Sequence, residues 1–264
     1  MDNSYQRDLI YANIRDALKV PGCPICHIGA SAATRYLRFL LHENVNSVTT
    51  RIKIHKAWGF CNEHAWELKQ MEEDFYKDPL GYPIILEGLI NSAIRVSNEL
   101  KEQLLKDTSS PNEGGLFRKK KDPLKQSKEI ASKLKPSGPC PACKSREDTS
   151  NTHSLFLMKY ISKEEFREIF SKSEGLCLKH FTSCIENAEN PEDIISLIDS
   201  QLAIWGNLSG ELAEHIRKMD YRFSKEPKGP EQDAWIKAIK VISGTQKDIK
   251  PKRLKKQKED VPKN

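Results

Sequence analysis

Cys23-Pro24-Ile25-Cys26, followed by Gly59-Phe60-Cys61-Asn62-Glu63-His64, is one half of the pattern that organises this chain. Cys140-Pro141-Ala142-Cys143, followed by Gly175-Leu176-Cys177-Leu178-Lys179-His180, is the other half. Each copy reads C-P-x-C, a spacer of about 34 residues, then G-[FL]-C-x-x-H. Three thiols and one imidazole, delivered as two close pairs, form the ligand set of a tetrahedral Cys3His zinc site. Six of the seven cysteines fall in these motifs. The candidate metal ligands are therefore Cys23, Cys26, Cys61, His64, Cys140, Cys143, Cys177 and His180.

Each spacing has a physical reason. C-x-x-C puts two sulfurs on one side of a tight knuckle, which proline stiffens. A glycine before C-x-x-H suits a chain that turns sharply into a helix. Positions i and i+3 share a helix face, so Cys61 and His64 can address one ion, as can Cys177 and His180.

The motifs belong to a longer repeat. Cys61 maps to Cys177, His64 to His180, Arg51 to Arg167 and Leu41 to Leu157, all at an offset of 116. The C-P-x-C pairs alone are shifted, to 117. A period this long indicates a duplicated domain, not a solenoid. The alignment also places the seventh cysteine. Cys184 lies on the face of His180, but its counterpart is Leu68, so we read it as a core cysteine and not a spare ligand.

Hydrophobic periodicity is helical throughout, with stripes expected over 5–19, 30–46, 47–57, 61–76, 83–106, 177–189, 192–219 and 231–243. Ser162 with Glu165 reads as a capping box opening the counterpart of 47–57. Asn190-Pro191-Glu192-Asp193 opens the long helix after it. The expected fold is all-α, a pseudo-two-fold duplicated helical domain with each half pinned by its own Cys3His site. Crossed pairing, with Cys23 and Cys26 joined to Cys177 and His180, is the alternative. The expected organisation is a first metal-binding repeat over 1–107, a basic flexible linker over 108–123, and a second repeat with a C-terminal helix over 124–244. A disordered basic tail follows over 245–264.

At 264 residues with 38% hydrophobic and 30% charged residues, the chain is expected to be soluble. Met1 to Arg7 lacks a basic-then-apolar leader, and no apolar run reaches the ~18 residues that a membrane helix needs. An odd cysteine count in metal-type spacing argues for a reducing cytoplasm. The net charge of +6 is concentrated in 108–135 and 245–264, each with eight basic and three acidic residues, so the rest of the chain is net acidic. Such segments either solubilise or make weak phosphate contacts, and residues 245–264 are the candidate for nucleic acid.

The quoted motifs, with Tyr36-Leu37, Glu43-Asn44-Val45-Asn46, Glu165-Phe166-Arg167, Asp220-Tyr221-Arg222-Phe223, Trp235 and Ala238, resemble an uncharacterised prokaryotic domain-of-unknown-function family with the same duplication. The resemblance spans residues 5–244. It implies a helical cytoplasmic protein and brings no known activity.

Two readings of the metal remain. Four protein ligands leave no open coordination position, which suits a structural zinc in a non-enzymatic scaffold or interaction module with an unknown protein partner. Alternatively, the C-P-x-C pairs serve thiol redox or iron–sulfur ligation. No phosphate loop, dinucleotide fingerprint, serine elbow or H-E-x-x-H occurs, so no catalytic residue is assigned. His27, His42, His55, His153 and His215 have no ligand spacing. Glu43 and Glu63 face lysines in the repeat, at Lys159 and Lys179, and read as surface charges. Trp58 and Trp205 read as packing residues. Arg222 reads either as an anion anchor or, preferably, as the partner of Asp220.

Overall fold

Two long helices, one from each half, lie antiparallel through the centre of the molecule. The computed structural model describes residues 3–75, 79–109, 123–223 and 225–246. The first half contributes α1 (Asn3–Ala17), α2 (Pro24–Phe39), α3 (Val48–Lys56), α4 (Asn62–Phe75) and α5 (Gly81–Ser109). The second contributes α6 (Pro123–Ser132), α7 (Pro141–Ile161), α8 (Glu164–Ser171), α9 (Leu178–Glu186), α10 (Pro191–Lys218) and a final α11 (Ala234–Ser243). Among the described residues there is no strand. The duplicated all-α architecture expected from the repeat is the one observed. Most of the expected linker and tail lies outside the described residues, though α5 continues through Ser109.

The direction of α2 against α7 follows from the core. One apolar cluster joins Ile25 and Ile28, early in α2, to Leu157, Met158 and Ile161, late in α7. The other joins Leu37, Leu40 and Leu41, late in α2 and just beyond it, to Ala142 at the start of α7. Small residues let the pair approach closely: Gly29, Ala32 and Ala33 are all buried in α2. A Cβ placed on Gly29 would lie 2.4 Å from Ser150 Oγ and 3.3 Å from the Arg146 carbonyl oxygen. A larger residue there would have to displace the Ser150 side chain and press on the Arg146 backbone.

Burial corrects the repeat alignment. Leu41 does not pair with Leu157. The 117 offset of the C-P-x-C motifs persists along the central helices, so that Ala33 matches Ser150, Leu37 matches Ser154, Leu40 matches Leu157 and Leu41 matches Met158, all buried. The offset falls to 116 only at α3 and α8, which open at Val48 and Glu164. The first half therefore carries one extra residue between these points. It is absorbed by a π-helical turn, Leu40–Asn44, where α7 stays α-helical. A π-turn is how a helix accommodates a single inserted residue.

Two helix starts are capped by side chains that the sequence offers. Ser47 caps α3 by accepting from the Thr50 N–H, and Asn190 caps α10 by accepting from the Asp193 N–H. The capping box expected at Ser162 does not form. Ser162 ends α7, and α8 is preceded by Lys163, whose side chain makes no cap. Lys163 is the 116-offset counterpart of Ser47, so the start of α8 keeps the repeat register that the Ser162 motif missed. Buried Glu72 does the corresponding work for α5, accepting from the Leu80 and Tyr82 N–H groups at 2.9 and 2.7 Å.

Gly29→Val should destabilise the chain by about 1–3 kcal/mol, the usual cost of overpacking a tight core. Equilibrium chemical denaturation of the two proteins checks it; an unchanged midpoint would contradict the close approach of α2 and α7.

Candidate metal centres

Each half places its two ligand pairs at opposite ends of its own central helix. Cys23 and Cys26 sit at the start of α2, with Cys23 as its N-cap and Pro24 in its first turn. The chain runs the length of α2 and its π-turn, 21 residues or roughly 30 Å at 1.5 Å per residue, before α3 and α4 follow. Cys61 and His64 thus open α4 at the far end. The second half repeats the arrangement with Cys140 as the N-cap of α7 and Cys177 as the N-cap of α9. Because α2 and α7 are antiparallel, the far end of one half meets the near end of the other.

The result is two crossed clusters, Cys23–Cys26–Cys177–His180 and Cys61–His64–Cys140–Cys143. The expectation that each half is pinned by its own site is therefore corrected: all eight candidate ligands converge, but in the crossed pairing. A half cannot close its own site, because roughly 30 Å of helix separates its two ligand pairs.

The donor spacing suits a single tetrahedral ion. Bonds of about 2.3 Å to sulfur and 2.0–2.1 Å to nitrogen put donors roughly 3.6–3.8 Å apart. In the first cluster His180 Nδ1 lies 3.4, 3.3 and 3.3 Å from the sulfurs of Cys23, Cys26 and Cys177, and the Cys26 and Cys177 sulfurs are 3.7 Å apart. In the second, His64 Nδ1 lies 3.2, 3.7 and 3.3 Å from Cys61, Cys140 and Cys143, and the Cys61 and Cys143 sulfurs are 3.6 Å apart.

Local backbone explains why the C-x-x-H segments can turn in. Gly59 and Gly175 adopt φ of 100° and 70°, a region that other residues rarely enter. At Gly175 a Cβ would also lie 2.6 Å from Gln201 Nε2, and the Gln201 side chain accepts from the Leu176 N–H at 2.9 Å. Buried Gln201 thus positions the residue next to Cys177. Nothing in the sequence pattern marked it.

The thiols are electrostatically unequal. Hydrogen bonds from Cys23 and Cys26, with one from His180, hold the Cys177 thiol far below its ordinary range despite burial. Burial pushes Cys23 well above it. At Cys140, burial raises the pKa but is outweighed by hydrogen bonds from His64 and nearby backbone N–H groups, giving about 6. Burial, with Cys61 beside it, pushes Cys143 up to about 12. His180 is carried to about 9, because its contacts to Cys177 and Cys26 outweigh the opposing effect of burial.

Around the second cluster, Arg146 Nη2 donates to Glu63 Oε1 at 2.6 Å and lies 3.0 Å from His64 Nε2. Glu63 and Glu67 oxygens lie within 4.8 Å of the His64 ring nitrogen they face. Glu63 belongs to this surround as an ion-pair partner. Cys184, fully buried, lies outside both clusters and its thiol faces the Ser154 carbonyl oxygen at 3.8 Å, its pKa pushed up to about 12 by burial. It occupies the slot that Leu68 fills in the first half, as a core residue. His27 Nε2 donates to the Pro21 carbonyl at 3.1 Å and joins neither cluster. Trp58 donates to the Lys133 carbonyl, and Trp205 packs edge-on against Phe181. Arg222 pairs with Asp220 at 2.6 Å.

The chain belongs to a family of unknown function, DUF6062, which matches residues 6–249. It is also similar to an uncharacterized 23.9 kDa protein in the xynA 3′ region of Caldicellulosiruptor sp. (strain Rt8B.4), at 22% identity over 229 residues. That match covers 85% of this chain and 96% of the relative. No solved structure matches the chain. No helix among the described residues is long and apolar enough to cross a membrane.

Two outcomes follow from this geometry. Cys184→Ala should cost about 1 kcal/mol, an ordinary core loss, and leave the metal content unchanged by elemental analysis. Metal affinity should strengthen as pH rises from 6 to 8. Ligands bind deprotonated, and His180 at about 9 and Cys143 at about 12 both hold protons at neutral pH that a metal must displace. Calorimetric titration in buffers of different ionisation enthalpy reads that proton release directly.

Proposed function

We propose that this protein is a non-enzymatic helical scaffold whose two halves are stapled together by two structural zinc ions. The observation that carries the reading is the crossing: each four-ligand cluster takes one pair from each half. A filled tetrahedral shell offers no position for water or substrate, so the ion contributes folding free energy instead of Lewis-acid chemistry. Cys23 and Cys26 with Cys177 and His180 would hold one ion, and Cys140 and Cys143 with Cys61 and His64 the other.

Donor spacing favours a single zinc over an iron–sulfur cluster. A cluster is itself several atoms across and would hold its cysteine sulfurs farther apart than the 3.6–3.7 Å found here. The interaction role is supported by α11, where Trp235, Ile239 and Ile242 fall on one side of the helix and are at least half exposed. Exposed apolar residues grouped in this way commonly mark a contact with another protein.

Native mass spectrometry of protein purified without chelator should show two zinc ions per chain. One ion or none would refute the reading, and a brown protein absorbing near 400 nm would replace zinc with an iron–sulfur cluster. Cys61→Ser should loosen both halves together, since it removes a link between α4 and α7. Zinc ligation contributes about 10–16 kcal/mol of apparent folding free energy in small finger peptides. Hydrogen exchange should therefore rise in α7 as well as α4. Exchange confined to residues 24–109 would show that the halves stand independently.

A further inference from the structure

The two clusters are related by the repeat but differ in cover. At the Cys23 cluster three of the four ligands are buried; at the Cys61 cluster only His64 is. The difference has an identifiable source. Beyond α11 the chain crosses the first cluster. Thr245 Oγ1 accepts from the Cys23 N–H at 2.8 Å. A Cβ on Gly244 would lie 3.4 Å from Cys26 Sγ and 4.0 Å from Cys177 Sγ, so the backbone itself lies against both sulfurs. Gly22, at φ 117°, makes room for the Thr245 side chain. Ion pairs anchor the strap through α11: Lys237 to Glu211 at 2.8 Å and Lys240 to Glu174 at 3.2 Å. At the second cluster Gly138, the counterpart of Gly22, meets only Lys56. Among the described residues no segment lies over its sulfurs in the same way.

We propose that the Cys61–His64–Cys140–Cys143 centre is an oxidation-responsive metal site, in which hydrogen peroxide joins Cys61 to Cys143 as a disulfide and expels the metal while the strapped centre stays loaded. This rests on the reading that both clusters bind zinc. Susceptibility of a thiolate to oxidation follows its exposure, and metal coordination keeps all six sulfurs anionic. The first thiolate attacks a peroxide oxygen, the O–O bond breaks, and hydroxide leaves, giving a sulfenic acid. The second thiolate attacks that sulfur; the S–S bond forms, the S–O bond breaks, and a second hydroxide leaves. Two electrons pass from sulfur to peroxide, and the zinc departs as an unchanged divalent ion.

The Cys61 and Cys143 sulfurs stand 3.6 Å apart. They come from different halves, so the disulfide replaces a metal staple with a covalent one and keeps α4 on α7. Cys26 and Cys177 stand in the same relation at 3.7 Å beneath the strap, and serve as an internal control.

The test uses the full-length, zinc-loaded chain treated with hydrogen peroxide. Zinc release is followed with a chromogenic chelator, and cysteines are mapped by alkylation and peptide mass spectrometry. One zinc should leave about tenfold faster than the other, as expected where access sets thiol reactivity. The early product should be a Cys61–Cys143 disulfide, with Cys23, Cys26 and Cys177 still reduced and open to alkylation. Thr245→Ala combined with Gly244→Val should speed the slower release and narrow the gap. Two zincs lost at one rate, or a Cys26–Cys177 disulfide appearing first, would overturn the inference. An early Cys140–Cys143 disulfide would overturn the assignment of the bonded pair. Metal analysis before oxidation separates the two failures: a chain without two zincs refutes the binding reading, whereas equal release refutes only the asymmetry.

Discussion

The antiparallel contact between α2 and α7 is the constraint on which the rest depends. It needs small residues at the crossing, and Gly29 lies so close to Ser150 and the Arg146 backbone that even a methyl group would collide. Given that contact, each end of the helix pair presents a C-P-x-C knuckle from one half beside a C-x-x-H turn from the other. Both ligand sets and both apolar clusters then follow as two ends of one arrangement.

Crossing changes what a metal does for the fold. An ion closing a loop within one half would stabilise that half alone. Here Cys26 and Cys177 are 151 residues apart, and Cys61 and Cys143 are 82 apart. Closing contacts of such sequence separation is entropically costly, and that cost must be met before the contact stabilises anything. The helix pair meets part of it by bringing the candidate ligand pairs together, and a metal bound there would lock the pairing. A metal held in either crossed site would thereby couple the folding of the two halves.

Most of what breaks the symmetry lies in the second half, with Glu63 of α4 the exception. α11 and the residues after it close one centre, Arg146 and Glu63 flank the other, and Gln201 supports only the turn at Gly175. Arg146 and Glu63 have no equivalents in the opposite half: Gly29 stands where the repeat would put Arg146, and Lys179 where it would put Glu63. Duplication thus supplies two similar donor sets, and divergence outside the ligands makes their surroundings different.

Much was legible in the sequence because ligand chemistry imposes short, rigid spacings. C-x-x-C, C-x-x-H and the glycine before it report local geometry, and local geometry is encoded within a few residues. The repeat marked all eight candidate ligands and set Cys184 apart through Leu68. The capping box at Ser162 misled because it was judged without that register. The pairing of ligands could not be read, because within-half and crossed sites use the same residues at the same spacings. Only the direction in which α2 packs on α7 separates them, and that is decided by shape complementarity between helices more than 100 residues apart. The π-turn at Leu40–Asn44 was hidden for a related reason: an inserted residue is visible as an offset, but where a helix absorbs it depends on which side chains the opposing helix requires to be buried.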